Sequence, residues 1–327
     1  MVQTGRPGAR VVSYGAARGF VERPLRSGYI SRTYVVGGRS FAHVYREYSY
    51  RGADYYGYVP AEYYGPGFYA WAATPWGAPV PYAWAGLATP APWLGFYLGY
   101  YTPYPVYASP DMWLTDYMIG QNLRLAYENQ SAGNTDQFPP AAEGAVASPG
   151  ITPAIKAMIA DEVRQQLAAE RAAAAAKPAQ ASEQQPSALK QKFFIVPTNL
   201  DLNTTANQAC TLTPGDIIQR QGTDVAADGS VAVAVVRSKR GDCPADSAAN
   251  IQIADLQEMS NQFREQLDSG LTLLASNQAR GLPGGPTAGS HPVADGTVDP
   301  LPEAAAQLAT QESDAAKVEF QVRQSDL

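Results

Sequence analysis

Between Tyr63 and Pro110 the chain runs 48 residues without an Asp, Glu, Lys, Arg or His. Histidine and cysteine are scarce throughout, with two of each. A metal centre needs clustered His, Cys or carboxylate ligands, and no spacing links His43 or His291 to the cysteines. A Ser/His/Asp triad would have to use one of those two histidines. No Gly-x-Ser-x-Gly elbow, phosphate loop or dinucleotide fingerprint is present. Gly284-Gly285 precedes no helical pattern. The uncharged stretch also lacks a long proline-free run. Its longest uninterrupted piece, Trp93 to Thr102, is ten residues, against roughly 20 for a spanning helix. Interior prolines remove backbone donors and clash with the preceding turn. A transmembrane helix is excluded on that ground, and alternation is too poor for a series of barrel strands.

What fills the stretch is Tyr, Trp, Pro, Gly and Ala, including every Trp except Trp113. So much aromatic surface must be buried, self-associated or held against something. The candidates for a contact surface are Tyr55, Tyr56, Tyr58, Tyr63, Tyr64, Trp71, Trp76, Trp84, Trp93, Tyr100 and Tyr101.

Charge is unevenly distributed. Residues 1–51 hold nine Arg, no Lys and two acids, a balance of +7, while the whole chain is −6. Residues 281–327 hold seven acids against Lys317 and Arg323. Such asymmetry points to solvated or interacting tails. The first 30 residues have arginines but no apolar leader core. Two readings stay open: a cytoplasmic protein, or a start that lies downstream of a leader. Cys210 and Cys243 favour the second. An even pair within one small domain fits a disulfide in an oxidising compartment. The alternative is two unrelated buried thiols.

At this length the expectation is about two domains. Residues 1–28 read as a disordered Arg/Gly-rich arm. Residues 29–128 begin with a hairpin: Thr33 to Val36, the turn Gly37-Gly38, then Arg39 to Tyr45. Phe41, His43 and Tyr45 share one face. The aromatic segment follows, then a short helix from about Asp111 to Glu128 with Trp113, Tyr117 and Leu125 on one side. Residues 129–150 form a linker. Residues 151–176 form an Ala-rich helix capped by Thr152-Pro153. Ile155, Ile159, Val163 and Leu167 give it one narrow stripe that docks on something or pairs with a copy of itself. Residues 177–191 are a second linker, and 280–327 an acidic disordered tail.

Residues 192–279 hold the best-defined domain. Five short strands are expected at 193–196, 209–212, 216–220, 230–236 and 250–253, separated by turns such as Pro214-Gly215-Asp216. Val231, Val233 and Val235 face one way and Ala232, Ala234 and Val236 the other, which marks a central strand. A helix follows, opened by Asp255 and Glu258 and striped by Leu256, Met259, Phe263, Leu267, Leu271 and Leu274. It would cover an edge or open end of the strands. The pattern from Cys210 to Ile218, Cys-Thr-Leu-Thr-Pro-Gly-Asp-Ile-Ile, resembles bacterial SH3-like small barrels over about 60 residues. The whole arrangement also looks like exported bacterial envelope proteins. The resemblance implies an envelope location and a module of the kind that binds cell-wall polymers or peptides, with no ligand residue carried over.

The fold class expected is therefore mostly low-complexity with a small all-β, SH3-like barrel and flanking helices, α+β overall. The function expected is a non-enzymatic, extracytoplasmic structural or binding protein without a cofactor. Its place is the periplasm, the outer envelope or the exterior. Its partners would be itself, through 151–176, or an envelope polymer. One alternative is a cytoplasmic nucleic-acid-binding or condensing protein acting through Arg and Tyr of the arm, weakened by the lack of Lys. A third is a glycan-binding or glycan-acting protein using Asp54 and Glu62. Arg240-Gly241-Asp242 spells an integrin-type tripeptide, although Gly and Asp are what a turn there wants. Asn129 and Asn203 begin short glycosylation patterns.

Overall fold

The computed structural model describes residues 2–6, 9–15, 18–26, 28–36, 39–81, 92–133, 150–175, 185–277, 289–293 and 296–325. The strands are β1 (Val2–Arg6), β2 (Ala9–Gly15), β3 (Arg18–Pro24), β4 (Tyr29–Val36), β5 (Arg39–Tyr50), β6 (Ala53–Val59), β7 (Glu62–Tyr64), β8 (Val80–Pro81), β9 (Val106–Tyr107), β10 (Phe193–Ile195), β11 (Leu200–Asn203), β12 (Ala209–Leu212), β13 (Ile217–Arg220), β14 (Ser230–Arg237), β15 (Ala248–Gln252) and β16 (Ser290–Pro292). The helices are α1 (Pro66–Ala72), α2 (Pro92–Phe96), α3 (Pro110–Gly133), α4 (Pro153–Ala175), α5 (Ile253–Asn277) and α6 (Ala304–Ser325). The chain is α+β and divides into two units, residues 1–62 with 292–327, and 63–179 with 185–291.

The first unit is an antiparallel sheet in the order β1 to β6. The hairpin read from the sequence is present, with Thr33 opposite Ala42 and Tyr34 opposite Phe41. Gly37-Gly38 lies outside the described residues. Residues 1–28, expected without regular structure, supply three strands instead. The reason is visible at Arg32. Its buried guanidinium bonds Glu22 Oε2 at 3.0 Å and lies 4.5 Å from the Phe20 ring and 4.2 Å from the Tyr45 ring. Arginine here is packing material, because its weakly hydrated plane stacks on rings. On the opposite face Val11 and Val21 pack with Leu301, Ala304 and Leu308. Leu301 N–H donates to Thr33 Oγ1 at 3.0 Å. The acidic stretch, expected to be disordered, thus contributes α6 to this unit.

The second unit has a core cluster that draws on residues from Tyr64 to Leu274. Residues 192–279 were expected to fold alone. They share this core with the aromatic segment and with α3 and α4. The five expected strands all form, with β11 added. β10, β13, β14 and β15 pair in that order, which makes β14 central. The β11–β12 hairpin joins this sheet through a Thr204–Ala249 bridge. No closed barrel forms among the described residues. The edge at β10 is taken by Glu162, whose carboxylate accepts the N–H groups of Lys192 and Phe193 at 2.8 and 3.1 Å. A helix side chain stands where a closing strand would pair.

The stripes of α4 and α5 are buried as the spacing predicts. The α4 stripe packs within its own chain, so a second copy is not needed to cover it. Thr152 Oγ1 accepts from Ile155 N–H at 3.4 Å, the expected cap. α5 begins two residues before Asp255, which lies in its first turn. α3 extends to Gly133, past the expected end near Glu128.

Two glycines let elements meet closely. A Cβ on Gly215 would lie 2.5 Å from Leu123 of α3, and this residue has φ +95°. A Cβ on Gly270 of α5 would lie 2.6 Å from Leu114 of α3. Both contacts are closer than a methyl group allows.

Candidate functional site

The chain's unusual residues converge first on a buried ion pair between α3 and α4. Lys156 Nζ lies 2.7 Å from Asp116 Oδ1, donates to Thr102 O at 2.5 Å and sits 4.0 Å from the Tyr104 ring centroid. Asp116 Oδ2 accepts from Tyr104 N–H at 2.6 Å and Tyr107 O–H at 3.2 Å. Burial pushes the Asp116 carboxyl up and the Lys156 ammonium down, and each partner pulls the other back toward its charged form. The Tyr104 phenol is pushed up to about 12 by burial and then by Asp116. An aromatic, proline-broken segment has few backbone partners of its own. This pair supplies them and clamps residues 101–107 onto the helices.

The second convergence is the Pro214-Gly215-Asp216 turn. Asp216 Oδ2 accepts from Thr213 N–H at 2.8 Å, and Oδ1 from Lys239 N–H at 3.0 Å and Lys239 Nζ at 2.5 Å. Tyr100 O–H donates to Gly215 O at 3.0 Å. Burial, with Asp242 adding to it, holds the Asp216 carboxyl up at about 7, against the pull of Lys239. The turn that carried the SH3-like resemblance is therefore the point where the aromatic segment is tied to the strands. Cys210 of β12 and Cys243, after β14, form a disulfide with a Cα–Cα distance of 4.9 Å. Cys243 N–H also donates to Thr211 O at 3.0 Å. A third link joins α4 to α5, where Arg264 Nη2 bonds Glu170 Oε1 at 2.8 Å.

Of the candidate contact residues, Tyr58, Tyr64, Trp76, Trp93, Tyr100 and Tyr101 are core residues. Tyr55, Tyr56, Tyr63 and Trp71 are half-buried, and Trp84 lies outside the described residues. Rings used for internal packing cannot at the same time form a platform.

His43 is surrounded edge-on by Tyr34, Phe41 and Tyr58. His291 lies near the Tyr63 ring. Among the described residues no three His, Cys, Asp or Glu side chains are placed to hold a metal ion. Asp54 is the second residue of β6 and Glu62 lies three residues past the end of that strand. Asp242 of the Arg-Gly-Asp triplet is engaged, accepting from Thr213 Oγ1 at 2.6 Å. Arg240 and Gly241 alone are presented at the surface. No described helix is long and apolar enough to cross a membrane.

Two surfaces stand out among the described residues. One is an open cleft of about 500 Å³ in the second unit between α1 and α4, lined by Tyr69, Ala73, Leu167, Ala172 and Arg171. The other is the outer half of the first unit's sheet. There Tyr48 and Tyr55 stand directly opposite each other, with ring centroids 6.1 Å apart and planes 24° from parallel. Of these two, the sequence pointed only to Tyr55. The signal for Tyr48 and Tyr50 was the alternation Tyr48-Ser49-Tyr50 on one side of Arg51-Gly52, with Tyr55 on the other.

No family model, curated protein or solved structure matches the chain.

Proposed function

We propose that this is a non-enzymatic, extracytoplasmic structural and binding protein whose partner is a polymer of the cell envelope. The observation that carries the reading is the Cys210–Cys243 disulfide. It ties the β11–β12 hairpin to the loop after β14, and such bonds persist where thiols are not continually reduced. The use of charge inside the second unit supports the same reading. The carboxylates of Asp116, Glu162, Glu170 and Asp216 are each spent on backbone or ion-pair partners that hold elements together. On this reading the second unit is a rigid body, and binding falls to surface residues. The experiment is thiol counting with a maleimide under denaturing, non-reducing conditions on protein taken from its native source. No reactive thiol is expected. Two reactive thiols would remove the basis for placing the protein outside the cytosol.

A further inference from the structure

Lys156 and Asp116 are sealed inside the second unit, with side chains 3% and 0% exposed. Their contact joins α4 to α3, and the two carboxylate oxygens stand in different surroundings. Oδ2 accepts from Tyr104 N–H at 2.6 Å and from Tyr107 O–H at 3.2 Å. Oδ1 lies 2.7 Å from Lys156 Nζ and has no other donor. Nζ in turn donates to Thr102 O at 2.5 Å, with the Tyr101 and Tyr104 ring centroids 5.0 and 4.0 Å away. Keeping a carboxylate and an ammonium out of water is costly, and a reaction that removes both charges relieves that cost.

We propose that Lys156 and Asp116 condense to an amide, a covalent cross-link between α3 and α4. The step needs no oxidant or co-reactant. The ammonium first passes one proton to Oδ1, which leaves a neutral amine against a neutral acid. Burial favours that form, because it pushes the Asp116 carboxyl up and the Lys156 ammonium down. The amine nitrogen, a desolvated nucleophile, then attacks Cγ. Negative charge moves onto Oδ2, where Tyr104 N–H and Tyr107 O–H already donate, as in an oxyanion hole. As the Cγ–Oδ1 bond breaks, the Oδ1 hydroxyl takes a second proton from the nitrogen and leaves as water. Of the three ammonium protons, one stays on the amide and two leave with Oδ1. The product has a use for each surrounding group. Its N–H faces Thr102 O, and its carbonyl keeps the Tyr104 and Tyr107 donors. Fixed contact in a dry site replaces the chance encounter that this condensation lacks in water. The cross-link goes beyond the envelope reading and does not depend on it.

The test is mass spectrometry of the full-length protein, denatured and reduced. The intact mass is expected to fall one water below the sequence mass. After trypsin, residues 52–124 and 125–164 are expected to stay joined, with no cut after Lys156. Neither segment contains cysteine, so reduction leaves the link in place. Fragment ions are expected to place it at Asp116. Lys156→Arg keeps a cation whose guanidinium stays charged, and is expected to restore the lost water and separate the two segments. Wild-type protein at full sequence mass, cut after Lys156, would overturn the proposal whatever the variant does. So would a missing water that maps to another carboxylate, or one that survives Lys156→Arg.

Discussion

Replacing Gly215 by Ala tests whether the aromatic segment and the β-strands share one core. The new methyl would lie 2.5 Å from Leu123 Cδ2 and 3.1 Å from its Cγ, on a residue held at φ +95°. Overpacking a filled core costs ~1–3 kcal/mol, and a non-glycine residue at such a φ adds ~1–2 kcal/mol. The expected loss is ~2–5 kcal/mol. Leu123→Ala alone should cost ~2–5 kcal/mol, because Leu123 is fully buried. In the double variant the methyl fills part of the vacated space. The summed single losses should then exceed the double loss by ~1–3 kcal/mol. The assay is urea unfolding followed by tryptophan fluorescence. Every tryptophan lies between residues 71 and 113, far in sequence from the substitution. If the strands formed a separate domain, Gly215→Ala would leave the tryptophan transition in place. An unmoved transition, or strictly additive single losses, would refute the shared core.

Three further outcomes follow from the same contacts. Cys210→Ser with Cys243→Ser opens a link across a sequence separation of 33 and should cost ~3–4 kcal/mol, measured by urea unfolding against the oxidised protein. Glu162→Ala strands the N–H groups of Lys192 and Phe193 and should cost ~1–3 kcal/mol, whereas Glu162→Gln keeps an acceptor and should lose less; equal losses would show that the carboxylate does not cap the β10 edge. Asp216 binds its proton more tightly folded than unfolded, having been raised from 3.8 to about 7. Its native-state preference is therefore present at low pH and lost as the pH rises through that range. Unfolding free energy should fall by ~1–4 kcal/mol between pH 4 and pH 8, less steeply in Asp216→Asn, and a rise over that range would contradict the assignment.

Much of this fold was legible locally. The stripe of α5 and the alternating valines of β14 each state a period, a face and a neighbour. The three N-terminal strands were not legible, because Arg32 reads as a solvated charge when it is in fact buried between rings. The shared core was hidden for a different reason. Prolines break the aromatic segment into pieces with no helical or strand period, and its rings pack singly into gaps left by distant elements. Tyr100 meets Gly215 across 115 residues, and Tyr64 meets Thr272 across 208. No local pattern announces such partners. The facing tyrosines Tyr48 and Tyr55 lay between these cases. The tyrosines flanking Arg51-Gly52 follow strand alternation, but their side of the sheet depends on where α6 packs.

Those long separations also bear on synthesis. A ribosome delivers Trp93 and Tyr101 well over a hundred residues before Leu267 and Leu271, which complete the same core. Until then the emerging chain carries an uncharged run of rings whose core is incomplete. A stop codon before α5 would leave that core permanently unfinished. Truncated products should therefore clump or be degraded, and a chain kept extended until α5 is made would escape that fate.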